Sequence, residues 1–288
     1  MVGADSVRWW SANTVAVVTG SNKGVGYEIA RQLARNGLTT VVTARDVSRG
    51  TKAVEALRTE VGSDRIAFHP LDVCSEESAV SLSMWLKQTY GGADILINNA
   101  GVLFNENETV ETDITTLQTN YYGVKNVTKA VLPVLRSSPA GARVIMVSSA
   151  LGQLHSLRNH YRKELANRDR ITEAMVDEFV ESFLEEKKTG KGPGGWPRGG
   201  WSPSYCVSKM AVNAYMSIVA REVSNRPEGQ RVYVNSFTPG YTSTNMTSNR
   251  GHPVEDGAMT GVWLALHPPR GHPVGKFWAD KCHGEMSF

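Results

Sequence analysis

Short apolar runs rich in β-branched residues alternate with longer segments of helical spacing along most of this 288-residue chain. The runs cover residues 15–19, 39–43, 66–71, 95–98, 144–148 and 232–237, and the helical segments cover 26–35, 50–61, 76–90, 112–136 and 204–224. The runs are continuously apolar, which is typical of parallel strands that helices cover on both faces. The alternation therefore predicts an α/β fold with a doubly wound parallel sheet, which binds ligands at the carboxyl ends of its strands.

The composition indicates a folded globular chain without a nucleic-acid partner. Apolar residues make up 41% of the chain and the net charge is only +3, which excludes a disordered protein. No Pro-rich or Ser-rich linker divides the chain, so we expect one domain over residues 1–288. The 31 basic and 28 acidic residues are interspersed, and no Lys/Arg block points to nucleic acid.

Cysteine usage and the N-terminus predict a cytoplasmic protein. Cys74, Cys206 and Cys282 are scattered, odd in number and without CxxC spacing, which favours free thiols in a reducing compartment. The N-terminus has no targeting pattern, and no run of 18 or more apolar residues predicts a membrane span. The histidine pairs 155/160 and 267/272 are five residues apart rather than four, so we expect no metal site.

One long segment interrupts the alternation, because Ser149 and Tyr205 stand 56 positions apart, far beyond a usual connection of about two to six residues. We interpret residues 150–203 as a helical and loop insertion. Its middle, from Ile171, repeats apolar residues at intervals of four and predicts an amphipathic helix, and the glycines and prolines that follow predict a loop. Trp196 and Trp201 favour partial burial of this loop over a pocket, with a flexible surface excursion as the alternative.

The first strand leads directly into a glycine-rich turn, TGSNKGVG at 19–26, and a helical segment follows at once. Gly20, Gly24 and Gly26 let the chain turn tightly and let backbone N–H groups approach a pyrophosphate at the helix N-terminus. This order of strand, glycines and helix is the context that a dinucleotide-binding turn requires, although the spacing is GxxxGxG rather than GxGxxG. A structural turn without a ligand is the alternative.

The end of the second strand predicts which dinucleotide binds. An acidic residue that would bind the ribose 2′-hydroxyl of NAD is expected at Ala44, but Arg45 stands beside it and Arg49 follows. A guanidinium matches a phosphate through its planar donors, so the predicted cofactor is NADP(H). Asp46 is the competing candidate, but it lies beyond the strand end and is expected to pair with an arginine. Lys23 offers a second positive charge, with a solvated loop lysine as the alternative.

Tyr205 and Lys209 open the last predicted helix, in the sequence YCVSK. A separation of four places the phenol and the ammonium on one helix face, one turn apart. The nearby cation is expected to lower the tyrosine pKa from about 10 by roughly one to three units. Tyr205 would then exchange a proton with an alcohol or a carbonyl.

Six motifs in a fixed order resemble the short-chain dehydrogenase/reductase family over almost the whole chain. They are TGSNKGVG at 19–26, NNAG at 98–101, NYYG at 120–123, VSS at 147–149, YCVSK at 205–209 and PG at 239–240. The resemblance implies a single Rossmann-type domain and a catalytic tetrad of Asn120, Ser149, Tyr205 and Lys209. It implies that Tyr205 protonates a carbonyl oxygen that Ser149 positions. Lys209 would bind the nicotinamide ribose and lower the phenol pKa, and Asn120 would support a water-linked proton relay.

The same resemblance implies a wider set of NADPH contacts. Asp72 would contact adenine, Asn99 would lie against the cofactor, and Thr244 would bind the nicotinamide carboxamide. Thr242 stands where the family often has an aliphatic residue. The full expected set is Gly20, Asn22, Lys23, Gly24, Val25, Gly26, Arg45, Arg49, Asp72, Val73, Asn99, Ala100, Gly101, Tyr205, Lys209, Pro239, Gly240, Thr242 and Thr244.

The insertion and TARDVSRG at 43–50 narrow the resemblance to the monomeric carbonyl reductase branch, which includes plant menthone and salutaridine reductase-like enzymes. In relatives without the insertion, helices beside the active site form dimers or tetramers. The added helix would cover those helices in this chain, and a monomer is therefore the implied state.

We predict NADPH-dependent reduction of a bulky lipophilic ketone or aldehyde, with the proton from Tyr205 and, by the resemblance, hydride from the pro-S face of the nicotinamide. Substrate contacts are expected from the residues after Ser149, from Trp201 and from 241–246, which together predict a mostly apolar pocket. Two alternatives are an NAD(P)-dependent alcohol dehydrogenase working in the oxidative direction and a non-catalytic cofactor-sensing protein.

Overall fold

The computed structural model describes residues 8–104, 108–279 and 284–288. Within these ranges the chain forms strands β1 (Val15–Val18), β2 (Thr39–Ala44), β3 (Ile66–Pro70), β4 (Ile95–Asn98), β5 (Ala142–Val147), β6 (Val232–Phe237), β7 (Phe277–Ala279) and β8 (Gly284–Met286). The strands form one sheet in the order β3-β2-β1-β4-β5-β6-β7-β8. All neighbouring strands pair in parallel except β7 and β8, which are antiparallel.

Helices cover both faces of the sheet. They are α1 (Gly24–Arg35), α2 (Val47–Val61), α3 (Glu76–Tyr90), α4 (Val110–Leu117), α5 (Gly123–Val131), α6 (Tyr161–Ala166), α7 (Glu173–Thr189), α8 (Pro203–Val223) and α9 (Val254–Leu266). Ile29 and Leu33 of α1 pack with Val262 of α9 in one core layer. Leu82 of α3 and Val212 of α8 belong to the core layer on the other face. The predicted doubly wound Rossmann-type sheet is confirmed.

The parallel strands bring several predicted site residues to one edge of the sheet. β1, β4 and β5 end at Val18, Asn98 and Val147. The pairing register of these strands brings the three ends to nearly the same level. Because all three strands run in one direction, the glycine turn and the motifs after β4 and β5 lie side by side at the carboxyl ends of these strands. The six predicted strands all form.

The segment predicted as one helix over 112–136 is interrupted in the structure. A π-helical turn at Gln118–Tyr122 separates α4 from α5, and a 3-10 turn at Leu132–Val134 follows. The prediction of one uninterrupted helix over 112–136 was therefore wrong. The π turn contains Asn120, whose amide is held by groups outside the helix, and π turns of this kind are frequent at functional sites.

The inserted segment contains α6 and α7, and α7 matches the helix predicted from Ile171. Asp177 of α7 accepts hydrogen bonds from Lys125 Nζ at 2.6 and 2.7 Å and from the Tyr121 hydroxyl at 2.8 Å. Trp196 packs among Tyr161, Phe179 and Phe183 of the same segment. The predicted burial at Trp196 is therefore confirmed, and its ring packs in the core of the insertion.

The C-terminal elements had no counterpart in the sequence-based prediction. These are α9 and the strands β7 and β8, which extend the sheet beyond β6. Within the described ranges, no helix is both long and apolar enough to span a membrane. Cys74 and Cys206 are free thiols, whereas Cys282 lies outside the described residues.

Candidate active site

The glycine turn between β1 and α1 is tied to the end of β4. The Thr19 hydroxyl accepts hydrogen bonds from the backbone N–H groups of Asn99 and Ala100, both at 2.9 Å. In return, Asn99 Nδ2 donates to the carbonyl oxygens of Thr19 at 2.8 Å and Gly20 at 3.2 Å. A Cβ on Gly26 would lie 2.3 Å from Asn99 Nδ2, so this close approach requires glycine. Thr19 is a positioning residue that sequence reasoning did not single out.

The turn leaves the N-terminus of α1 open toward a ligand. Gly20 and Gly24 have φ of +60° and +61°, a conformation that other residues rarely adopt. Lys23 precedes α1 in an extended conformation, and no side chain caps the helix. The unpaired N–H groups and the dipole of the first turn therefore suit a pyrophosphate. Val25 and Asn22 are partly exposed beside this turn.

Two exposed arginines follow β2 at the same edge. Asp46 caps α2 by accepting a hydrogen bond from the Arg49 backbone N–H at 2.9 Å, and its other oxygen lies 3.0 Å from Arg49 Nε. The predicted pairing of Asp46 with an arginine is therefore present. These contacts occupy Nε and leave the terminal guanidinium nitrogens of Arg49 for another anion, while the Arg45 side chain is exposed nearby.

The residues after β3 form the neighbouring part of the edge. Asp72 Oδ1 accepts a hydrogen bond from the Cys74 backbone N–H at 3.0 Å. Val73 is buried, and a Cβ on Gly123 would approach its side chain to 2.7 Å. This close packing joins the β3 loop to the start of α5.

Tyr205 and Lys209 lie on the same face of α8. Lys209 Nζ is 5.5 Å from the centre of the Tyr205 ring, and it donates a hydrogen bond to the Val147 carbonyl oxygen at 2.8 Å. Lys209 is buried and Tyr205 is partly buried. The hydrogen bond holds the start of α8 against the end of β5, which places the phenol beside the VSS motif.

The pKa values of this pair differ from the sequence-based expectation. Burial raises the pKa of Tyr205 to about 12, although a hydrogen bond with Ser149 acts in the opposite direction. Burial also lowers the pKa of Lys209 to about 8. The expected net lowering of the phenol pKa was therefore wrong, because loss of hydration outweighs the contacts that favour the phenolate.

The two serines at the end of β5 have different surroundings. Ser148 is 1% exposed, and its hydroxyl lies 3.4 Å from the Lys209 carbonyl oxygen, against the helix backbone. Ser149 is partly exposed and accepts a hydrogen bond from the Leu151 backbone N–H at 3.2 Å. Its hydroxyl is also close enough to the Tyr205 phenol to favour the phenolate. Ser149 is therefore the serine available to a ligand beside the phenol.

Asn120 connects the π turn to two neighbouring elements. Its Oδ1 accepts from the Val102 backbone N–H at 2.8 Å, and its Nδ2 donates to the Val102 carbonyl oxygen at 2.9 Å. The same Nδ2 donates to Ser208 Oγ at 3.1 Å, and that hydroxyl donates to the Tyr205 carbonyl oxygen at 2.7 Å. Sequence reasoning missed Ser208, although its place inside the YCVSK motif was a possible signal. A Cβ on Gly101 would lie 3.2 Å from Asn120 Oδ1.

The loop after β6 completes the edge. Gly240 has φ of +74° after Pro239, and the buried Thr242 hydroxyl donates to the Pro239 carbonyl oxygen at 2.8 Å. Thr242 therefore uses its hydroxyl within its own loop. Thr244 lies beside the glycine turn, because a Cβ on Gly24 would be 3.5 Å from its methyl group.

Comparisons with known proteins agree with this geometry. The family model described as short chain dehydrogenase matches residues 14–161. (-)-Isopiperitenone reductase of Mentha piperita is 36% identical, over 91% of this chain and 95% of that protein. The chain belongs to the short-chain dehydrogenase/reductase family. The family resemblance inferred from the six motifs is thus confirmed, and the chain is an oxidoreductase.

Further members of this family resemble the chain over nearly its full length. Carbonyl reductase [NADPH] 3 of Mus musculus is 38% identical, over 94% of this chain and 98% of that protein. The structure of salutaridine reductase from Papaver somniferum has a TM-score of 0.83 and 33% identity, and covers 92% of this chain and 99% of that one. These matches extend through the inserted segment, so this short-chain dehydrogenase/reductase resembles members that include it.

Proposed function

We propose that this enzyme uses NADPH to reduce a ketone or aldehyde to the alcohol. The observation that carries the proposal is the placement of Tyr205 beside Ser149 at the end of β5, with Lys209 Nζ 5.5 Å from the phenol ring. Three polar groups of the types that polarise and protonate a carbonyl therefore meet at one edge of the sheet. Relatives named as NADPH-dependent carbonyl reductases support the same activity.

The residues around the glycine turn suit NADPH. The uncapped N-terminus of α1 would hold the pyrophosphate, and Gly20 and Gly24 keep the backbone accessible there. Arg45 and Arg49 would bind the 2′-phosphate, which favours NADPH over NADH. When bound, the cofactor supplies the hydride, from the pro-S face by the family resemblance. Asp72 and Val73 would lie along the adenine, and Asn99, Ala100, Gly101, Pro239, Gly240, Thr242 and Thr244 would surround the rest of the cofactor.

The protonation states favour the reductive direction. With a pKa of about 12, Tyr205 keeps its proton at neutral pH and can donate it to the carbonyl oxygen. With a pKa of about 8, Lys209 is still largely protonated at pH 7, so its charge stabilises the phenolate left by proton transfer. Ser149 would hold the carbonyl oxygen during transfer. Asn120, whose amide binds Ser208 on the helix of Tyr205, would support the water-linked proton relay that the family resemblance implies.

The substrate that we propose is a bulky lipophilic carbonyl compound. The ring of Trp201, four residues before Tyr205, contacts the ring of Tyr241 in the loop after β6, and Met246 adds an exposed apolar side chain on that loop. A concave site with a few polar groups and apolar walls suits such ligands. Relatives named isopiperitenone reductase and salutaridine reductase support this substrate class.

We also propose that the enzyme is a cytoplasmic monomer with one domain, residues 1–288, and an insertion at 150–203. The support for the monomer is α7, whose Asp177 binds Lys125 and Tyr121 on the outer side of the helices that flank the site. The free thiols Cys74 and Cys206 support a reducing compartment.

A screen of NADPH consumption against aliphatic, aromatic and terpenoid carbonyls tests the proposed activity. We expect turnover with NADPH, much weaker turnover with NADH, and a loss of about 10²- to 10⁴-fold in Tyr205→Phe. Tyr241→Phe is a matched control because it removes an exposed phenol hydroxyl from the same region and keeps the ring. Unchanged turnover in Tyr205→Phe would overturn the mechanism, and alcohol oxidation without measurable carbonyl reduction would favour the reverse reaction.

A further inference from the structure

The serine proposed to hold the carbonyl oxygen lies at the start of a short 3-10 turn that follows β5. The turn covers Ala150–Gly152, and Ser149 caps it by accepting a hydrogen bond from the Leu151 backbone N–H at 3.2 Å. The Ser149 carbonyl oxygen also accepts from the Gly152 backbone N–H at 2.9 Å. Because the turn binds both the hydroxyl and the backbone of Ser149, the position of this hydroxyl depends on the position of the turn.

A buried asparagine holds this turn against α8. Asn213 is fully buried, four residues after Lys209, and its Nδ2 donates a hydrogen bond to the Gly152 carbonyl oxygen at 3.2 Å. A Cβ on Gly152 would lie 2.8 Å from the Lys209 carbonyl oxygen and 3.0 Å from Asn213 Nδ2, so the turn packs directly on the helix. The helix that carries Tyr205 therefore also holds the far end of the turn that begins at Ser149.

A second hydrogen bond fixes the orientation of the Asn213 amide. Its Oδ1 accepts from the Ser236 hydroxyl of β6 at 2.9 Å, and both side chains are fully buried. An amide has one acceptor oxygen and one donor nitrogen, so the contact at the oxygen directs the nitrogen toward Gly152. One side chain therefore joins β6, α8 and the turn after β5.

We propose that Asn213 is a positioning residue that sets the place of the Ser149 hydroxyl relative to the Tyr205 phenol. This inference rests on the proposed function. Tyr205 belongs to α8 and Ser149 follows β5, so the distance between their hydroxyls depends on how the turn is held to the helix. A displacement of about 1 Å at a reacting centre can cost on the order of 100-fold in rate. Asn213 therefore acts on the chemical step through Ser149, without touching substrate or cofactor.

Kinetics of Asn213→Ala with 2-decalone, a bicyclic ketone of the proposed substrate class, test the positioning role. We expect kcat to fall about five- to thirtyfold, whereas the Kd of NADPH, measured by fluorescence titration, should stay within about twofold. In a Ser149→Ala background the same substitution should change kcat by less than about twofold, because the hydroxyl that Asn213 positions is already absent. Equal fold losses in the two backgrounds would overturn the proposal.

Asn235→Ala is the matched control for the loss of a buried amide. Asn235 is also fully buried, and its amide donates to the Pro273 carbonyl oxygen at 2.7 Å and accepts from the Lys276 backbone N–H at 3.1 Å. It precedes Ser236 on β6, so its side chain points to the other face of the sheet. We expect a loss of thermal stability similar to that of Asn213→Ala, with kcat within about twofold. A fall in kcat as large as that of Asn213→Ala would overturn the positioning role.

Ser236→Ala tests the same link if Asn213→Ala fails to fold. This variant keeps the Asn213 amide and removes only the hydroxyl that orients it. We expect kcat to fall about two- to fivefold with the Kd of NADPH unchanged, and an unchanged kcat would contradict the role of the amide orientation.

Amide hydrogen exchange of the enzyme tests the link without a substrate. Exchange at Leu151 and Gly152 should be about tenfold faster in Asn213→Ala and unchanged in Asn235→Ala. Unchanged exchange in Asn213→Ala would overturn the proposal whatever the kinetics. The expected exchange result in an enzyme that reduces no carbonyl compound would support the link and count against the proposed function alone.

Discussion

A hydrogen bond of 3.1 Å joins Asn120 in the π turn to Ser208 in the first turns of α8. Ser208 is fully buried, and its hydroxyl donates to the Tyr205 carbonyl oxygen at 2.7 Å. One hydroxyl therefore links the helix that carries the proposed proton donor to the π turn across the site. Asn120 also binds both backbone groups of Val102. The contacts with Ser208 and Val102 together stabilise the π turn.

Replacement of Ser208 by alanine should slow the chemical step. The variant removes one partner of Asn120 and one partner of the Tyr205 carbonyl, so we expect kcat to fall about three- to tenfold while the Kd of NADPH changes little. Ser217→Ala is a matched control, because the Ser217 hydroxyl donates to a backbone carbonyl of the same helix at 3.2 Å, away from Tyr205. A rise in NADPH Kd with unchanged kcat would contradict the positioning role.

The pH dependence of reduction should follow the charge of Lys209. Burial lowers the pKa of this lysine to about 8, so its ammonium is lost as the pH rises through that value. Below about pH 8 the charge is present and stabilises the Tyr205 phenolate, so kcat/KM for reduction should be level there and fall at higher pH. The Tyr205 proton is not limiting in this range, because its pKa is about 12.

The Lys209→Arg variant checks this assignment. A guanidinium keeps its proton well above pH 8, so the fall in kcat/KM should move upward by at least about one unit even if the maximal rate is lower. The measurement is a pH profile of NADPH consumption at saturating cofactor. An unchanged midpoint in the variant would assign the fall to another group.

Selection of NADPH over NADH should depend on the two arginines after β2. We expect Arg45→Ala and Arg49→Ala each to raise KM for NADPH about ten- to a hundredfold and to leave KM for NADH within about twofold, because only NADPH carries the 2′-phosphate. Arg35→Ala is the control, since Arg35 is exposed at the end of α1. Equal effects on KM for both cofactors would show that the arginines stabilise the fold and do not bind the 2′-phosphate.

Much of the fold could be predicted because its signals are local. The strands β1 to β6 are apolar runs, and α3 begins and ends where Ser75 caps its first turn and Gly91 adopts a left-handed conformation. The glycine turn was also predictable, because it follows a strand and precedes a helix. Its anchoring by Thr19 and Asn99 depends on residues 80 positions apart, which the spacing of the glycines does not show.

The features that were not predicted depend on tertiary contacts. The π turn at Asn120 is held by Val102 and Ser208, which no helical periodicity indicates. Strands β7 and β8 have three residues each, too short for a clear pattern. The upward shift of the Tyr205 pKa was not predicted, because the four-residue spacing to Lys209 shows only that the two groups are close. The loss of hydration that causes the shift depends on the residues that surround both groups.

Removal of the Asp177 carboxylate should destabilise the enzyme by loosening α7. This carboxylate binds the buried Lys125 ammonium at 2.6 Å and the Tyr121 hydroxyl at 2.8 Å. Asp177→Ala removes the carboxylate partner of the Tyr121 hydroxyl and leaves Lys125 with only the more distant Glu173 carboxylate at 3.5 Å. We therefore expect the free energy of unfolding to fall by about 1–3 kcal/mol, measured by urea unfolding. Glu178→Ala is the control, because this neighbouring carboxylate is exposed and its loss should change stability by about 0.5 kcal/mol or less. Equal urea midpoints for the two variants would show that α7 is held by its apolar side chains alone.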